Sequence, residues 1–277
     1  MHILGLDEFL KAALAEDLGS GDVTTDACVP KEEKSIAYFI AKEAGVICGL
    51  EVVRRVFSLV DERLTLHCYV TDGQTVAVGE KIAEISGSSS GILKGERLAL
   101  NLLQRLSAIA TKTAWAVGEV AGTSTKICDT RKTTPLMRKL EKYAVRSGGG
   151  QNHRFGLYDG VMIKDNHIVA AGGIRAAVER ARAYVPHTLK IEVEAQDLAQ
   201  VKEALDAGAD IIMLDNMEID AMREAVKEVA GRAVVEASGN MDRRSLKEVA
   251  GTGVDYISIG ALTHSVKALD ISLKFVK

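Results

Sequence analysis

The spacing of apolar residues divides the chain into two parts. Up to about residue 125, runs with helical spacing alternate with shorter runs in which apolar and polar residues take turns, as in strands. This pattern predicts a mixed α/β part at the start of the chain. Its predicted helices are DEFLKAALAEDL, LEVVRRVFSLV and the long apolar stretch ILKGERLALNLLQRLSAIATKTAWAVGEVA, and its predicted strands are RLTLHCYV, QTVAVGEKIAEISG and two within SIAYFIAKEAGVICG.

Polar segments rich in glycine and serine separate these elements. GSGDVTTDA predicts a turn-rich connection after the first helix. GSSSG at 87–91 predicts a flexible break before the long helix.

From residue 126 onward the pattern becomes a regular alternation of strands and helices. Helical spacing in DLAQVKEALDAGA and EIDAMREAVKEVA separates apolar runs by distances typical of short βα units. Successive units of this kind indicate parallel strands in a barrel or part of one, and there are too few units here for a complete eight-unit barrel. The predicted strands are KICDT, VMIKDN, LKIEVEA, DIIMLDN, AVVEASG and DYISIGA.

Polar residues recur where these strands end. In LKIEVEA, strand alternation puts Lys190, Glu192 and Glu194 on one face, although a buried parallel strand is usually almost entirely apolar. Because active sites of α/β barrels form at the carboxyl ends of the strands, this recurrence favours a shared site over unrelated helix caps. The strand ends concerned are Asp129-Thr130-Arg131, Lys164-Asp165-Asn166, Glu194, Asp215-Asn216, Glu236 with Ser238-Gly239-Asn240, and Ser258-Ile259-Gly260.

Positive charge is concentrated in residues 129–167. The whole chain has a formal net charge of only -3, so this density of lysine and arginine indicates a site for polyanions. Three consecutive glycines within it are interpreted as a place where backbone N–H groups approach an anion closely. Arg138, Lys139, Lys142 and Arg146 lie on a predicted helix, where we expect a solvated face, with long-range steering of anions as the alternative.

Bulk properties narrow the class of protein. The chain has 277 residues and 47% hydrophobic content, and no apolar run approaches the roughly 20 residues that a bilayer span requires. Acidic residues near the N-terminus argue against a signal peptide, so we expect a cytoplasmic protein that does not bind membranes. Four cysteines without a CxxC pair predict buried free thiols: Cys28, Cys48, Cys68 and Cys128.

Motifs spread over nearly the whole chain combine into one extended pattern: EDLGSGDVTT, ERLALNLLQRLSAIAT, DTRKTTP, GGGQNHRFGLYDGVMIKDNH, Glu194, Asp215, SGN and SIG. This pattern resembles the quinolinate phosphoribosyltransferase family. The resemblance implies an N-terminal α/β sandwich domain at 1–111, to which a tail at 266–277 returns. It also implies an incomplete α/β barrel of about seven strands at 112–265.

The activity that the resemblance implies is a step of de novo NAD synthesis. Members of the family transfer the phosphoribosyl group of phosphoribosyl pyrophosphate to quinolinate. The products are nicotinate mononucleotide, pyrophosphate and carbon dioxide, and the cofactor is Mg²⁺. The resemblance further implies a homodimer whose active site is shared between subunits.

Individual roles follow from the resemblance as well. Arg131, His153, Arg154 and Lys164 would bind the two carboxylates of quinolinate, and Arg105 would be contributed by the partner subunit. The implied catalytic residues are Lys132, Lys164, Glu194 and Asp215.

The remaining implied ligands serve the sugar phosphate. Lys132 would bind phosphate and the leaving pyrophosphate, whereas Glu194 and Asp215 would bind the ribose hydroxyls and Mg²⁺. Thr130 is an implied substrate contact. The 5′-phosphate would bind to two turns, Ser238-Gly239-Asn240 and Ser258-Ile259-Gly260.

Other functions remain open at this point. A Schiff-base aldolase would use Lys164 as its nucleophile and would surround that lysine with apolar groups, yet Asp165 and Asn166 follow it. Overall acidic charge and the lack of interleaved aromatic residues argue against nucleic-acid binding. Within the phosphoribosyltransferases, a nicotinate-specific enzyme or a paralogue from molybdenum loci is the alternative, and the KDNH tetrad favours the quinolinate enzyme.

Overall fold

The computed structural model describes residues 5–276, and its internal contacts divide the chain into two compact units. Unit 1 comprises the chain up to Ala114, Thr134–Gly149, and the chain from Ser265 onward. Unit 2 comprises Trp115–Thr133 and Gly150–His264. The boundaries predicted from the sequence differ from these units at residues 112–114, 134–149 and 265, all of which they place in the barrel domain.

Helices and strands are mixed throughout the described residues. The first are α1 (Leu6–Leu18), α2 (Val23–Cys28), β1 (Lys34–Ala41), β2 (Gly45–Val46), α3 (Leu50–Val60), β3 (Thr65–Cys68), β4 (Thr75–Val76), β5 (Lys81–Ser88) and α4 (Ser89–Glu119). Then follow β6 (Lys126–Cys128), α5 (Arg138–Ser147), β7 (Val161–Ile163), α6 (Asp165–Ala171), α7 (Ile174–Tyr184), β8 (Ile191–Ala195), α8 (Leu198–Asp206), β9 (Ile211–Asp215), α9 (Ile219–Val229), β10 (Val234–Ser238), α10 (Leu246–Ala250), β11 (Tyr256–Ser258), α11 (Ala261–His264) and β12 (Ile271–Val276).

Unit 1 is built on an antiparallel sheet with the strand order β12-β1-β5-β3. β1 lies between β12 and β5, and the register places Ala41 opposite Ile271. β2 and β4 form a separate antiparallel pair. Apolar side chains cover the sheet, and Phe39 of β1 packs edge-on against Phe57 of α3. The two strands expected around the glycine turn are therefore present, but they pair with other strands rather than with each other.

Two segments of unit 1 correct the sequence analysis. The predicted flexible break at 87–91 is wrong, because β5 continues to Ser88 and α4 begins at Ser89. Ser89 is buried, and its hydroxyl forms a hydrogen bond of 2.6 Å with that of Ser35. The predicted turn-rich connection GSGDVTTDA contains α2, which begins there because the Asp22 side chain caps it by accepting the Thr25 N–H.

The triple glycine has a structural role in its first two residues. The Gly148 and Gly149 N–H groups donate to the carbonyls of Ala144 and Arg146, so both serve the end of α5 rather than an anion. A Cβ on Gly148 would lie 2.3 Å from the Ala110 carbonyl oxygen of α4, closer than any side chain can approach. Glycine at 148 therefore allows α5 to approach α4.

The charged helix α5 is not simply a solvated face. Glu141 and Lys142 are both fully buried, although Arg146 and Lys139 fit the expectation of exposure. The expectation was wrong for Lys142 because α5 is an amphipathic helix whose packed side includes charged groups.

The cysteines differ in exposure. Cys48 and Cys128 are buried as expected, but Cys28 is exposed.

Unit 2 contains six parallel strands in the order β6-β11-β10-β9-β8-β7. All six strands predicted from residue 126 onward are present, and helices separate most of them. Gln151 adds an isolated parallel bridge to Cys128 at the free side of β6, the position that a seventh strand would occupy. The mixed α/β class with an incomplete α/β barrel is therefore confirmed. Within residues 5–276, no helix is both long and apolar enough to cross a membrane.

Candidate active site

Several predicted site residues of unit 2 lie at one edge of its sheet. All six strands are parallel, so their carboxyl ends face the same way. The register places Asp215 at the end of β9 beside Ser238 at the end of β10, and Ser258 at the end of β11 beside Cys128 at the end of β6. Residues far apart in sequence thus become neighbours at this edge, as the recurrence of polar strand ends predicted.

Lys164 and Glu194 are in direct contact. The Lys164 ammonium, just after β7, donates a hydrogen bond to the Glu194 carboxylate near the end of β8. The Glu194 side chain is largely buried, whereas that of Lys164 is 44% exposed. This environment differs from the apolar pocket that a Schiff-base lysine requires, because a carboxylate contacts the lysine directly. Lys164 is therefore better suited to bind an anion.

Arg154 and Arg131 supply clustered positive charge. Burial, followed by the proximity of Arg131, lowers the pKa of Arg154, and the nearby Glu192 and Glu194 oppose this effect. The Arg154 guanidinium also donates to the Gly160 carbonyl at 2.7 Å, which fixes its direction. An anion that binds both of these partly buried guanidinium groups would offset the repulsion between them. The pair is therefore suited to a carboxylate or phosphate ligand.

Asp129 holds the segment that carries these ligands. Its carboxylate is fully buried and accepts the Asn152 side-chain amide at 2.6 Å and the His153 N–H at 2.8 Å. The sequence analysis placed Asp129 at a strand end without a role. The structure shows that it connects the end of β6 to residues 152–154.

The His153 side chain lies against the sheet face that carries Glu192 and Glu236. Its Nε2 lies 3.1 Å from Glu192 Oε2 and 3.7 Å from Glu236 Oε2, and its Nδ1 accepts the Arg154 N–H at 2.8 Å. Burial and the neighbouring Glu192 raise the pKa of Glu236 to about 7, against the opposing effect of His153. Sequence reasoning noted both acids but assigned neither a role, although the placement of Glu192 on the same strand face as Glu194 was a usable signal.

Lys132 lies against the turn that follows β11. A Cβ on Gly260 would lie 3.0 Å from the Lys132 Cδ, so the absence of a side chain there makes room for the lysine. The Lys132 carbonyl accepts the Thr263 hydroxyl, and the Lys132 N–H donates to Thr130 Oγ1. Lys132 and the predicted phosphate turn at 258–260 therefore form one structural element.

The turn after β10 is equally constrained. Gly239 has φ +94°, and a Cβ there would lie 2.2 Å from Asn216 Oδ1. Asn240 donates its side-chain amide to the same Asn216 oxygen at 3.0 Å. Asn216 and Asn240 both have positive φ, which asparagine tolerates better than most residues. The SGN turn and the end of β9 thus fix each other, and Asn216, which the sequence marked only as a polar strand end, forms this connection.

Arg105 belongs to unit 1. Its guanidinium donates to Glu141 Oε1 at 2.6 and 2.8 Å and to the Thr134 hydroxyl at 2.7 Å. Glu141 is fully buried and also accepts the Thr134 N–H. A buried carboxylate that holds one guanidinium so closely fixes its position before any ligand binds.

Oxygen donors for a hard cation are present at the carboxyl edge. Glu194 and Asp215 end neighbouring strands β8 and β9, and both side chains are partly exposed. Mg²⁺ is commonly bound by one or two carboxylates together with substrate phosphates, so this donor set fits Mg²⁺.

Comparison with known proteins gives a consistent answer over both units. The family model "Quinolinate phosphoribosyl transferase, N-terminal domain" matches residues 22–107, and the corresponding C-terminal domain model matches residues 109–274. A protein of Bacillus subtilis named probable nicotinate-nucleotide pyrophosphorylase [carboxylating] is 48% identical over 99% of this chain and 94% of its own length.

Similar proteins from a plant and from another bacterium give the same result. A mitochondrial quinolinate phosphoribosyltransferase [decarboxylating] of Nicotiana tabacum is 43% identical over 97% of this chain and 82% of its own length. The crystal structure of NadC from Streptococcus pyogenes matches with a TM-score of 0.95 and 45% identity, covering 100% of both chains. Since the family models, the curated relative and the solved structure all span essentially the entire sequence, the chain belongs to the quinolinate phosphoribosyltransferase family.

Proposed function

We propose that this chain transfers the phosphoribosyl group from phosphoribosyl pyrophosphate to quinolinate and removes one carboxylate, which yields nicotinate mononucleotide, pyrophosphate and carbon dioxide in de novo NAD synthesis. The observation that best supports this function is the composition of the carboxyl edge in unit 2. Lys164 follows β7, Glu194 and Asp215 lie at or next to the ends of β8 and β9, and the two glycine-containing turns follow β10 and β11, which supports the binding of a carboxylate, a ribose and a phosphate in this region.

Substrate binding follows from these groups. In this proposal Arg131, Arg154 and Lys164 bind the carboxylates of quinolinate, and Lys132 binds the pyrophosphate. The turns Ser238-Gly239-Asn240 and Ser258-Ile259-Gly260 bind the 5′-phosphate through backbone N–H groups, because glycine allows close approach to an anion. Thr130 orients Lys132 through the hydrogen bond to its N–H. His153 contributes to quinolinate binding by fixing Arg154 next to it in the chain.

The first chemical step is displacement at the anomeric carbon of the ribose. The pyridine nitrogen forms the new bond as pyrophosphate leaves, and positive charge develops on the ribose ring. Glu194 and Asp215 stabilise this charge and hold the ribose hydroxyls, whereas Lys132 stabilises the departing pyrophosphate. When bound, Mg²⁺ would be held by Glu194 and Asp215 and would offset negative charge on the phosphates.

The second step breaks the bond between the ring and its 2-carboxylate. Carbon dioxide leaves, the electron pair remains on the ring carbon beside the cationic nitrogen, and a proton then takes the place of the carboxylate. Much of the driving force lies in the substrate itself, so the protein chiefly orients the reactants and excludes water. Lys164 is the proposed electrostatic partner of the departing carboxylate.

The proposal includes a homodimer in which Arg105 reaches the quinolinate site of the partner subunit, and it places the protein in the cytoplasm. The fixed guanidinium of Arg105, held by buried Glu141, supports a ligand-binding role for this residue.

A direct assay tests the reaction. Purified protein is mixed with phosphoribosyl pyrophosphate, Mg²⁺ and either quinolinate or nicotinate, and pyrophosphate and carbon dioxide are followed together. We expect equal amounts of both products from quinolinate, no reaction without it, and loss of activity with a chelator that Mg²⁺ in excess reverses. Turnover of nicotinate with no carbon dioxide, or inertness toward quinolinate, would show that the proposal is wrong.

A further inference from the structure

Two buried acids inside unit 2 have no place in the chemistry described above. Glu192 in β8 and Glu236 in β10 are only 3% and 4% exposed. The register places Glu236 opposite Met213 and Met213 opposite Glu194, so both acids lie on the sheet face that also carries Glu194. Both also line a cavity of about 470 Å³ at that face. Burial of two carboxyl groups close together costs stability, which indicates that they serve another purpose.

The hydrogen bonds of His153 define what the acids can do. Its Nδ1 accepts the Arg154 N–H, so a neutral ring carries its proton on Nε2. Nε2 is the atom that faces Glu192 and Glu236, at 3.1 and 3.7 Å. A nitrogen that donates a proton cannot at the same time ligate a metal, so these three residues form a donor with two acceptors rather than a metal site.

Each acid has a carboxylate oxygen that can accept a hydrogen bond from His153. Glu192 Oε1 is buried without a hydrogen-bond partner within residues 5–276, and the Ser258 side chain lies beside Glu236. The Oε2 atom of each acid faces His153. The imidazole is therefore the group that connects β8 to β10 across the intervening strand β9.

The orientation of the His153 imidazole affects Arg154, a proposed substrate ligand, through a hydrogen bond. The Arg154 N–H is bonded to the imidazole, the His153 N–H is bonded to Asp129, and the Arg154 guanidinium is bonded to the Gly160 carbonyl. Rotation of the imidazole would break the first of these bonds and leave the backbone at residue 154 held on one side only. The position of the Arg154 guanidinium thus depends on the acids that hold the imidazole.

We propose that Glu192 and Glu236 are positioning residues which act through His153: they fix its Nε2–H tautomer and orientation and thereby set Arg154 for the aromatic dicarboxylate. This inference rests on the proposed function for the identity of the ligand. It adds two residues from the interior of the sheet to the determinants of quinolinate affinity. Phosphoribosyl pyrophosphate binding, which uses other residues, is independent of the pair.

Steady-state kinetics of matched variants test the proposal. Glu192→Leu removes the nearer acceptor and should raise KM for quinolinate about tenfold, the effect of one lost hydrogen bond, with KM for phosphoribosyl pyrophosphate unchanged. Glu236→Leu should act in the same direction but more weakly, because its oxygen is farther from Nε2. Glu192→Gln keeps a carbonyl acceptor and should restore the wild-type value. Ile212→Val, on the opposite face of β9, is the control for a buried strand substitution.

A spectroscopic measurement separates this inference from the proposed function. Imidazole ¹⁵N shifts of the protein without substrates, assigned with His153→Gln, should show the Nε2–H form in the wild type and in Glu192→Gln and a mixture of tautomers in Glu192→Leu. An Nδ1–H form in the wild type, stoichiometric Mn²⁺ binding that Glu192→Leu abolishes, or equal changes in both KM values would overturn the positioning role. Failure of the wild type to use quinolinate would instead overturn the proposed function and leave the tautomer result intact.

Discussion

The contact between Lys164 and Glu194 means that two of the proposed substrate ligands neutralise each other before any ligand is bound. A dicarboxylate that approaches Lys164 must compete with Glu194, and Glu194 then becomes available for the ribose. With the proposed roles, binding of the two substrates is electrostatically linked at these two residues, because a carboxylate that binds Lys164 releases Glu194 for the ribose. This pairing could not be predicted from the positions of Lys164 and Glu194 along the chain, which are 30 residues apart.

Glu236 gives a prediction about stability and pH. Its pKa is raised to about 7 in the folded chain, from an ordinary value of 4.5, chiefly by burial and by Glu192. Between these values the folded state binds more protons than the unfolded state, so stability falls as pH rises from about 4.5 to about 7 and changes little above that range. Glu236→Gln removes this ionisation and should be more stable relative to wild type at pH 8 than at pH 5.

Urea unfolding at several pH values measures this difference. Between pH 5 and pH 8, the difference in free energy of unfolding between Glu236→Gln and wild type should change by a few kcal/mol at most, because each unit of pKa change corresponds to about 1.4 kcal/mol. Glu224→Gln, an exposed substitution on α9, is the control and should keep a constant offset from wild type. A constant offset for Glu236→Gln as well would contradict the prediction.

At the scale of elements, close helix packing explains glycines that the sequence analysis assigned to anion binding. Gly148 has φ -81°, a conformation open to any residue, so its requirement for glycine comes from the adjacent α4 backbone alone. Sequence patterns could predict that α4 and α5 exist, because their apolar spacing is local. They could not predict that these helices would meet at this glycine, since that contact joins residues 38 positions apart (148 minus 110).

Substitution of Gly148 tests this explanation. Gly148→Ala would place a Cβ 2.3 Å from the Ala110 carbonyl oxygen and should lower the free energy of unfolding by about 1–3 kcal/mol. Gly118→Ala is the matched control, because Gly118 lies in α4 with no atom within 4 Å of the added Cβ. The control should raise stability by up to about 1 kcal/mol through helix propensity. Thermal unfolding compares the two, and equal effects would exclude a packing role for Gly148.

Strand ends were the most predictable part of the candidate site. Lys164, Glu194 and Asp215 were placed correctly at the carboxyl edge because strand periodicity fixes where a strand stops and which face a side chain takes. Partners across the sheet were less accessible to sequence reasoning. The contact of His153 with Glu192 and Glu236 depends on the path of the segment that carries His153 between α5 and β7, which strand periodicity does not predict.

At the scale of the whole molecule, the placement of Arg105 and Lys132 in different units allows a test of the proposed dimer. Arg105→Ala and Lys132→Ala should each be inactive. If the site is shared, mixed dimers contain one site that carries neither substitution, so activity should recover toward a quarter of the wild-type value as subunits exchange. Exchange is followed by differently tagged subunits. Proven exchange with no recovery would show that each site is complete within one chain.

The antiparallel sheet of unit 1 has a consequence for biosynthesis. β1 pairs on one side with β12, so Ala41 cannot pair with Ile271, the residue opposite it, until Ile271 has emerged from the ribosome. Pairing over such a sequence distance is slow, and an unpaired strand edge is prone to associate with other chains. The nascent protein therefore exposes the β12-facing edge of β1 until β12 has been synthesised, and a chaperone that binds residues 34–41 during this interval would prevent association with other chains.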